Sequence, residues 1–252
     1  MSVTIHGPRE IAALHRAAQA AAATLAHVGR RLAPGVSTAT IDRWVAEDTA
    51  RRGGRPSQLG FHGFPATVCV SRNFVVCHGV PREDERLEEG DIVNVDVTTE
   101  VDGFHGDTSA TFVIGEASAT ARRLVRATEE ALAAAIAAVR PGARLGDLAA
   151  AIMRVAGREG LGVVRDFCGH GIGRRMHEPP QVPHVGRAGV GLRLREGMVF
   201  TIEPMLTLGG PAVEVLADGW TVVTVDRQWS AQFEHTICVT ADGARVLTRL
   251  EA

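Results

Sequence analysis

From residue 10 to residue 32 apolar side chains recur at helical spacing, with Pro8 suited to a first turn and Pro34-Gly35 supplying a stop. Ser37-Thr38-Ala39-Thr40 predicts the start of a second helix, which continues to Arg52 and ends at Gly53-Gly54. The texture then changes. Residues 66–70 and 91–97 read as strands, rich in valine and punctuated by glycine and proline. A second helical pair is expected at 118–139 and 145–158, and strands return at 198–202, 220–225 and 236–240.

The order is two helices, strands, two helices, strands. It predicts an α+β fold built as a structural duplication, sheets together in the middle and helices outside, although the halves show no sequence repeat. No linker or low-complexity run divides the 252 residues, so the expectation is one catalytic domain spanning 1–252.

Composition narrows the function. A net charge of −2 without a basic stripe gives no footprint for nucleic acid, so DNA binding is not expected. The most apolar stretch, 17–28, is too short and too interrupted to span a bilayer, and the start lacks the basic and apolar segments of a secretory signal. Cys69, Cys77, Cys168 and Cys238 form no C-x-x-C pair, which suits reduced thiols in a cytoplasm, buried or lining a pocket. The chain has no lysine, which excludes Schiff-base chemistry and a P-loop lysine.

Candidate chemistry begins at Asp96 and Asp107, eleven positions apart with Asp102-Gly103 as a turn between them. In an antiparallel hairpin an odd separation puts both on one face. Val93, Val95 and Val97 are expected on the alternation that includes the positions paired with Asp107's strand. Taken alone, Asp107 could cap a turn after Gly106 while Asp96 faces solvent. Glu203 ends an apolar strand in "VFTIEPM" and Glu234 precedes another in "EHTICVT". Four buried acids repel one another and resist desolvation, so positive charge must sit among them. Two divalent cations would balance them, and one imidazole, from a loop where glycines permit a tight turn, would complete a mainly oxygen ligand set. Such an oxygen-rich set suits Mn, Fe or Co.

Taken in order, "VVCHGVP", "VNVDVTTEVDGFHGDTSATF", "CGHGIGRRMHEPP", "TIEPM" and "EHT" resemble the type I methionine aminopeptidases of the pita-bread fold over nearly the whole chain. The resemblance implies a curved antiparallel central sheet with pseudo-twofold halves. It implies Asp96, Asp107, His170, Glu203 and Glu234 as ligands of two divalent ions, Asp107 and Glu234 bridging. It gives His78 a contact near the scissile amide, His177 a hydrogen bond to the substrate carbonyl, and Glu203 the proton transfer. A water or hydroxide held by the metal pair would attack the methionyl carbonyl. Phe61, His62, Phe64, Cys69, Phe167, Met176 and Trp220 would form the methionine pocket and its entrance. Asn73, Val75 and Ser230 would hold a monovalent cation such as Na or K.

The implied activity is removal of initiator methionine from nascent proteins with a small, uncharged second residue. A cytoplasmic monomer in transient contact with the ribosome is expected. About thirty residues between Glu203 and Glu234 leave no space for a type II insertion, and the short N-terminal segment suggests the minimal bacterial form. Met1-Ser2 could itself be processed. Bacterial relatives often carry cysteine at Gln58, tyrosine at Phe61 and Phe64, and Gly-Phe at Arg175-Met176. Two rivals are a proline-specific peptidase of the same fold and a non-catalytic, ribosome-associated homologue.

Overall fold

The computed structural model describes residues 3–251; the Met1-Ser2 start, expected to be open to processing, therefore lies outside the described residues. Four helices form as two pairs, α1 (Pro8–Gly29) with α2 (Thr38–Arg51) and α3 (Ala119–Ala137) with α4 (Leu145–Glu159). Ser37 and Ser118 cap α2 and α3, their hydroxyls accepting from the Thr40 and Ala121 amides. Helix α1 ends three residues before Leu32, where Arg31 N–H bonds back to Val28 and tightens the chain. Leu32 still packs on the core, so the apolar spacing outlasts the helix.

Nine antiparallel strands build the main sheet. They are β1 (Arg55–Pro56), β2 (Cys69–Arg72), β3 (Ile92–Val101), β4 (Phe104–Val113), β5 (Gly169–Gly171), β6 (Glu178–Val182), β7 (Val199–Ile202), β8 (Glu234–Thr240) and β9 (Gly243–Val246). The main path runs β1-β3-β4-β8-β7-β5-β6, with β2 beside β3 and β9 beside β8. Two three-stranded sheets complete the molecule. One joins Val75–Cys77, Val222–Thr224 and Val213–Val215; the other joins Gly162–Val163, Met205–Thr207 and Ser230–Gln232. The observed strands extend or shift the expected ones by a few residues, and β5 and β6 fall where a loop was expected.

Asp102 and Gly103 form the two-residue β3–β4 turn with φ of 53° and 76°, the left-handed geometry that suits a right-twisted hairpin. Asp96 lies opposite Ser109, and Thr98 opposite Asp107. The two aspartates are thus diagonal neighbours on one face.

The valines take the other face, contrary to the expectation that they share it. Val93, Val95 and Val97 pack with Val28 of α1 and Ile41 and Val45 of α2. Period two requires this: odd positions of β3 go under the helices, and even positions 94, 96 and 98 point away. The second half repeats the division, with Phe200, Ile202, Ile237 and Val239 packed beneath α3 and α4. Gly106 lets α1 approach β4, because a Cβ there would overlap the backbone of Ala17 and Ala18. Among the described residues no helix is long and apolar enough to cross a membrane.

Candidate active site

The two halves meet where β4 pairs with β8, Glu234 opposite Ser109 and His235 opposite Thr108. One residue beyond that pairing the Thr236 hydroxyl accepts from Asp107 N–H at 3.1 Å and donates to Asp107 C=O at 2.8 Å, fixing the seam. Asp96 and Asp107 come from the first half; His170 on β5, Glu203 after β7 and Glu234 at the start of β8 come from the second. Donor atoms of Asp107, His170 and Glu234 all lie within 4.8 Å of one another. His170 Nε2 stands 3.7 Å from both Asp107 Oδ2 and Glu203 Oε1.

His170 is on a strand, not at a tight turn. Gly169 and Gly171 are required for a different reason: a Cβ on either would overlap the carbonyl of Thr201 or Pro179 on the neighbouring strands. The His170 amide donates to Thr201 Oγ1 at 3.0 Å, and Nδ1 contacts the Gly171 carbonyl at 3.1 Å. Since a carbonyl can only accept, Nδ1 carries the proton and Nε2 turns its lone pair toward the acids.

Burial dominates the electrostatics. It lifts Glu203 to about 8, helped by the charge of Asp107. It lifts Asp107 to about 7 against the opposing hydrogen bond from Thr98. Asp96 and Glu234 are pushed well above the carboxylate range, by burial first and then by the neighbouring acids. Burial also lowers His170 to about 3 and His177 to about 4, reinforced by nearby imidazoles. Among the described residues no arginine forms an ion pair with any of the four acids; only His170 approaches them. The Asp96 Oδ1 atom is shut off from solvent yet has no hydrogen-bond partner. A neutral imidazole, four clustered carboxyls and a buried oxygen left open are what a pair of divalent cations fits.

Above the acids opens a cavity of about 520 Å³. Phe61, Phe64, Cys69, His78, Phe167, Met176, His177 and Trp220 line it together with all five acid-centre residues. Phe64 meets Trp220 edge to face at 5.2 Å, and Phe61 meets His177 at 5.0 Å. His78 sits at φ 54°, a backbone state uncommon for a residue with a Cβ, with its ring edge-on to Phe167. His62 is the exception. It is exposed and does not line the cavity, because Phe61 stands against it at 4.4 Å on the cavity side.

Asn73 and Ser230 also come together, the Ser230 amide donating to the Asn73 carbonyl at 2.8 Å. Val75 lies on the adjoining strand, paired with Val223. The cysteines are free, Cys69 and Cys168 facing the cavity and Cys77 and Cys238 buried elsewhere.

Sequence reasoning missed the residues that hold the acids. Thr98 donates to Asp107 Oδ1 at 2.8 Å, Thr201 to Glu203 Oε1 at 2.8 Å, and Gln232 Nε2 to Glu203 Oε2 at 3.3 Å. A signal existed. Thr98 is two beyond Asp96, Thr201 two before Glu203, Gln232 two before Glu234, so each is the polar residue that shares an acid's face. Met205 and Gln181 were also not foreseen in the cavity wall.

The model of metallopeptidase family M24 matches residues 12–241. Methionine aminopeptidase A of Synechocystis is 49% identical over 247 residues, covering 98% of each chain. The methionine aminopeptidase of Escherichia coli is 45% identical over 249 residues, covering 98% of this chain and 94% of that one. The crystal structure of the Rickettsia prowazekii methionine aminopeptidase superposes with a TM-score of 0.96 at 42% identity, covering 98% of this chain and all of that one.

Proposed function

Because the chain belongs to metallopeptidase family M24, as one of its methionine aminopeptidases, we propose that it removes initiator methionine from nascent chains whose second residue is small and uncharged. One observation supports this most directly: a single cavity has clustered carboxyls at its floor and aromatic and sulfur side chains on its wall.

Asp96, Asp107, His170, Glu203 and Glu234 would hold two divalent ions, Mn, Fe or Co. When bound, such a pair lowers the pKa of water and polarises a carbonyl. The substrate's free, neutral α-amine would be bound at the metal-loaded acid floor, which makes removal of one N-terminal residue the natural outcome. Phe64, Cys69, Met176 and Trp220 enclose the thioether, a polarizable group that packs well on aromatic and sulfur surfaces. His177, neutral at pH 7, donates one N–H to the carbonyl oxygen where negative charge develops. His78 borders the amide being cut. Glu203, held by Thr201 and Gln232 and ionised once divalent cations offset the neighbouring acids, would take the proton from the attacking water and pass it to the leaving amine.

Asn73, Val75 and Ser230 would accommodate a monovalent cation, Na or K, through oxygen atoms beside the small sheet. The protein would act in the cytoplasm, as a monomer at the ribosome, on emerging N-termini, in keeping with the nascent-chain substrate. Incubation with Met-Ala-Ser and with Ala-Pro in the presence of Mn²⁺ or Co²⁺ tests the proposed reaction. Methionine release from the first peptide alone is expected. Cleavage of Ala-Pro alone would make the protein a proline-specific peptidase, and turnover of neither would overturn the reaction.

A further inference from the structure

We propose that Gln58 is a positioning residue for the metal centre, completing the edge of β3 beside Asp96 and Asp107 and thereby setting the affinity of the site for divalent cations. This rests on the reading of those aspartates as ligands. On its β4 side, β3 is paired along its full length. On the other side it is covered by two separate strands, β2 opposite residues 93–96 and β1 opposite residues 99 and 100. Between them, at residues 97 and 98, no strand completes the ladder.

The Gln58 side chain fills this break. Its Nε2 donates to the Asp96 carbonyl at 2.7 Å, and its Oε1 accepts from Thr98 N–H at 3.2 Å. One amide thus supplies a donor and an acceptor, as a passing peptide group would. The main chain beside it continues the pattern, with Ser57 N–H bonded to Thr98 C=O at 2.9 Å. Gln58 is 6% exposed and forms part of the cavity wall, so water is a poor substitute for either bond.

The two backbone groups it holds belong to the residues that define the acid floor. Asp96 presents the carboxylate oxygen left without a partner. Thr98 directs its hydroxyl onto Asp107 Oδ1, so the same amide fixes one acid through its own backbone and the other through Thr98. Outer partners of this kind orient ligands and typically change metal affinity by about 10–100-fold when lost. A cysteine or methionine at position 58 lacks the paired donor and acceptor.

The test is Mn²⁺ titration calorimetry on metal-free wild-type protein, Gln58→Met, Gln58→Cys and, as a control outside the cavity, Leu59→Ala. Hydrogen exchange at the Thr98 amide is read in parallel. Expected results are Mn²⁺ binding weakened about tenfold in both Gln58 variants, faster exchange at Thr98 with β8 unchanged, and wild-type behaviour for Leu59→Ala. Affinity within twofold of wild type in both Gln58 variants would overturn the inference while leaving the site reading standing. So would a loss of affinity accompanied by faster exchange throughout the sheet, which marks general loosening. Failure of wild-type protein to bind Mn²⁺ would overturn the site reading and this inference with it.

Discussion

His170 Nε2 and Asp107 Oδ2 face each other across 3.7 Å, beyond hydrogen-bonding range, with the imidazole lone pair and the carboxylate directed into the same space. Donor–metal bonds of about 2.1 Å place two ligands of one ion roughly 3.0–3.6 Å apart. A few tenths of an ångström of closure would satisfy both.

The raised carboxyls make the stability of the metal-free protein depend on pH. Folded pKa values of about 7 for Asp107 and about 8 for Glu203 exceed their unfolded values, so the folded state binds more protons through this window. Their contribution is full below pH 4 and is lost as pH rises through 8. Urea unfolding of chelator-treated protein should show a lower midpoint at pH 8 than at pH 5.5. Adding Mn²⁺ should raise the pH 8 midpoint; a hundredfold excess over Kd corresponds to about 2.7 kcal/mol. Equal metal-free midpoints would argue against unpaired acids at the seam.

Glu203→Gln keeps the side chain's size and its bond from Thr201 while removing a carboxylate that can carry a proton. Folding should be retained and turnover of Met-Ala-Ser severely reduced, by about 10²-fold or more. Near-normal turnover, measured with far-ultraviolet circular dichroism to check the fold, would remove Glu203 from the proton-transfer role.

His177 touches the cavity and stacks edge-on to His170 at 4.2 Å without reaching the acids. His177→Ala should therefore leave Mn²⁺ affinity nearly unchanged while kcat falls about 10²-fold, the typical effect of deleting one oxyanion donor. A large loss of Mn²⁺ affinity would instead make His177 part of the metal centre.

At Gly106 the backbone of α1 comes directly against β4. Gly106→Ala pushes a methyl group against helix backbone, which cannot turn aside as a side chain could. It should destabilise the protein by about 1–3 kcal/mol or more, seen as a lower midpoint in urea. Gly157→Ala, inside α4 where a Cβ meets nothing, is the comparison and should leave the midpoint unchanged or raise it, since alanine is the better helix former.

The sequence by itself determined the two helix pairs, the hairpin turn at Asp102-Gly103 and the ordered set of five acid-centre residues. These are local facts. Helical spacing, capping serines and a two-residue turn act over a few positions, and the motifs fix residue order without needing distance. Even the same-face relation of Asp96 and Asp107 followed from parity across the hairpin.

Only the tertiary structure decided which face held them and what surrounds them. Val93, Val95 and Val97 went under the helices because the even positions are committed to the cavity, a choice that depends on where α1 and α2 lie. Short β5, framed by glycines, offered too few residues for a period, so His170 read as a loop residue although two neighbouring strands pin it. His62 and Phe61 are adjacent in sequence, but packing put only Phe61 on the cavity wall. The bond from Gln58 to Asp96 spans 38 residues, and those binding Asp107 to Thr236 span 129. Contacts at that range depend on strand order and on the gap between two edge strands, quantities that exist only once the sheet has closed.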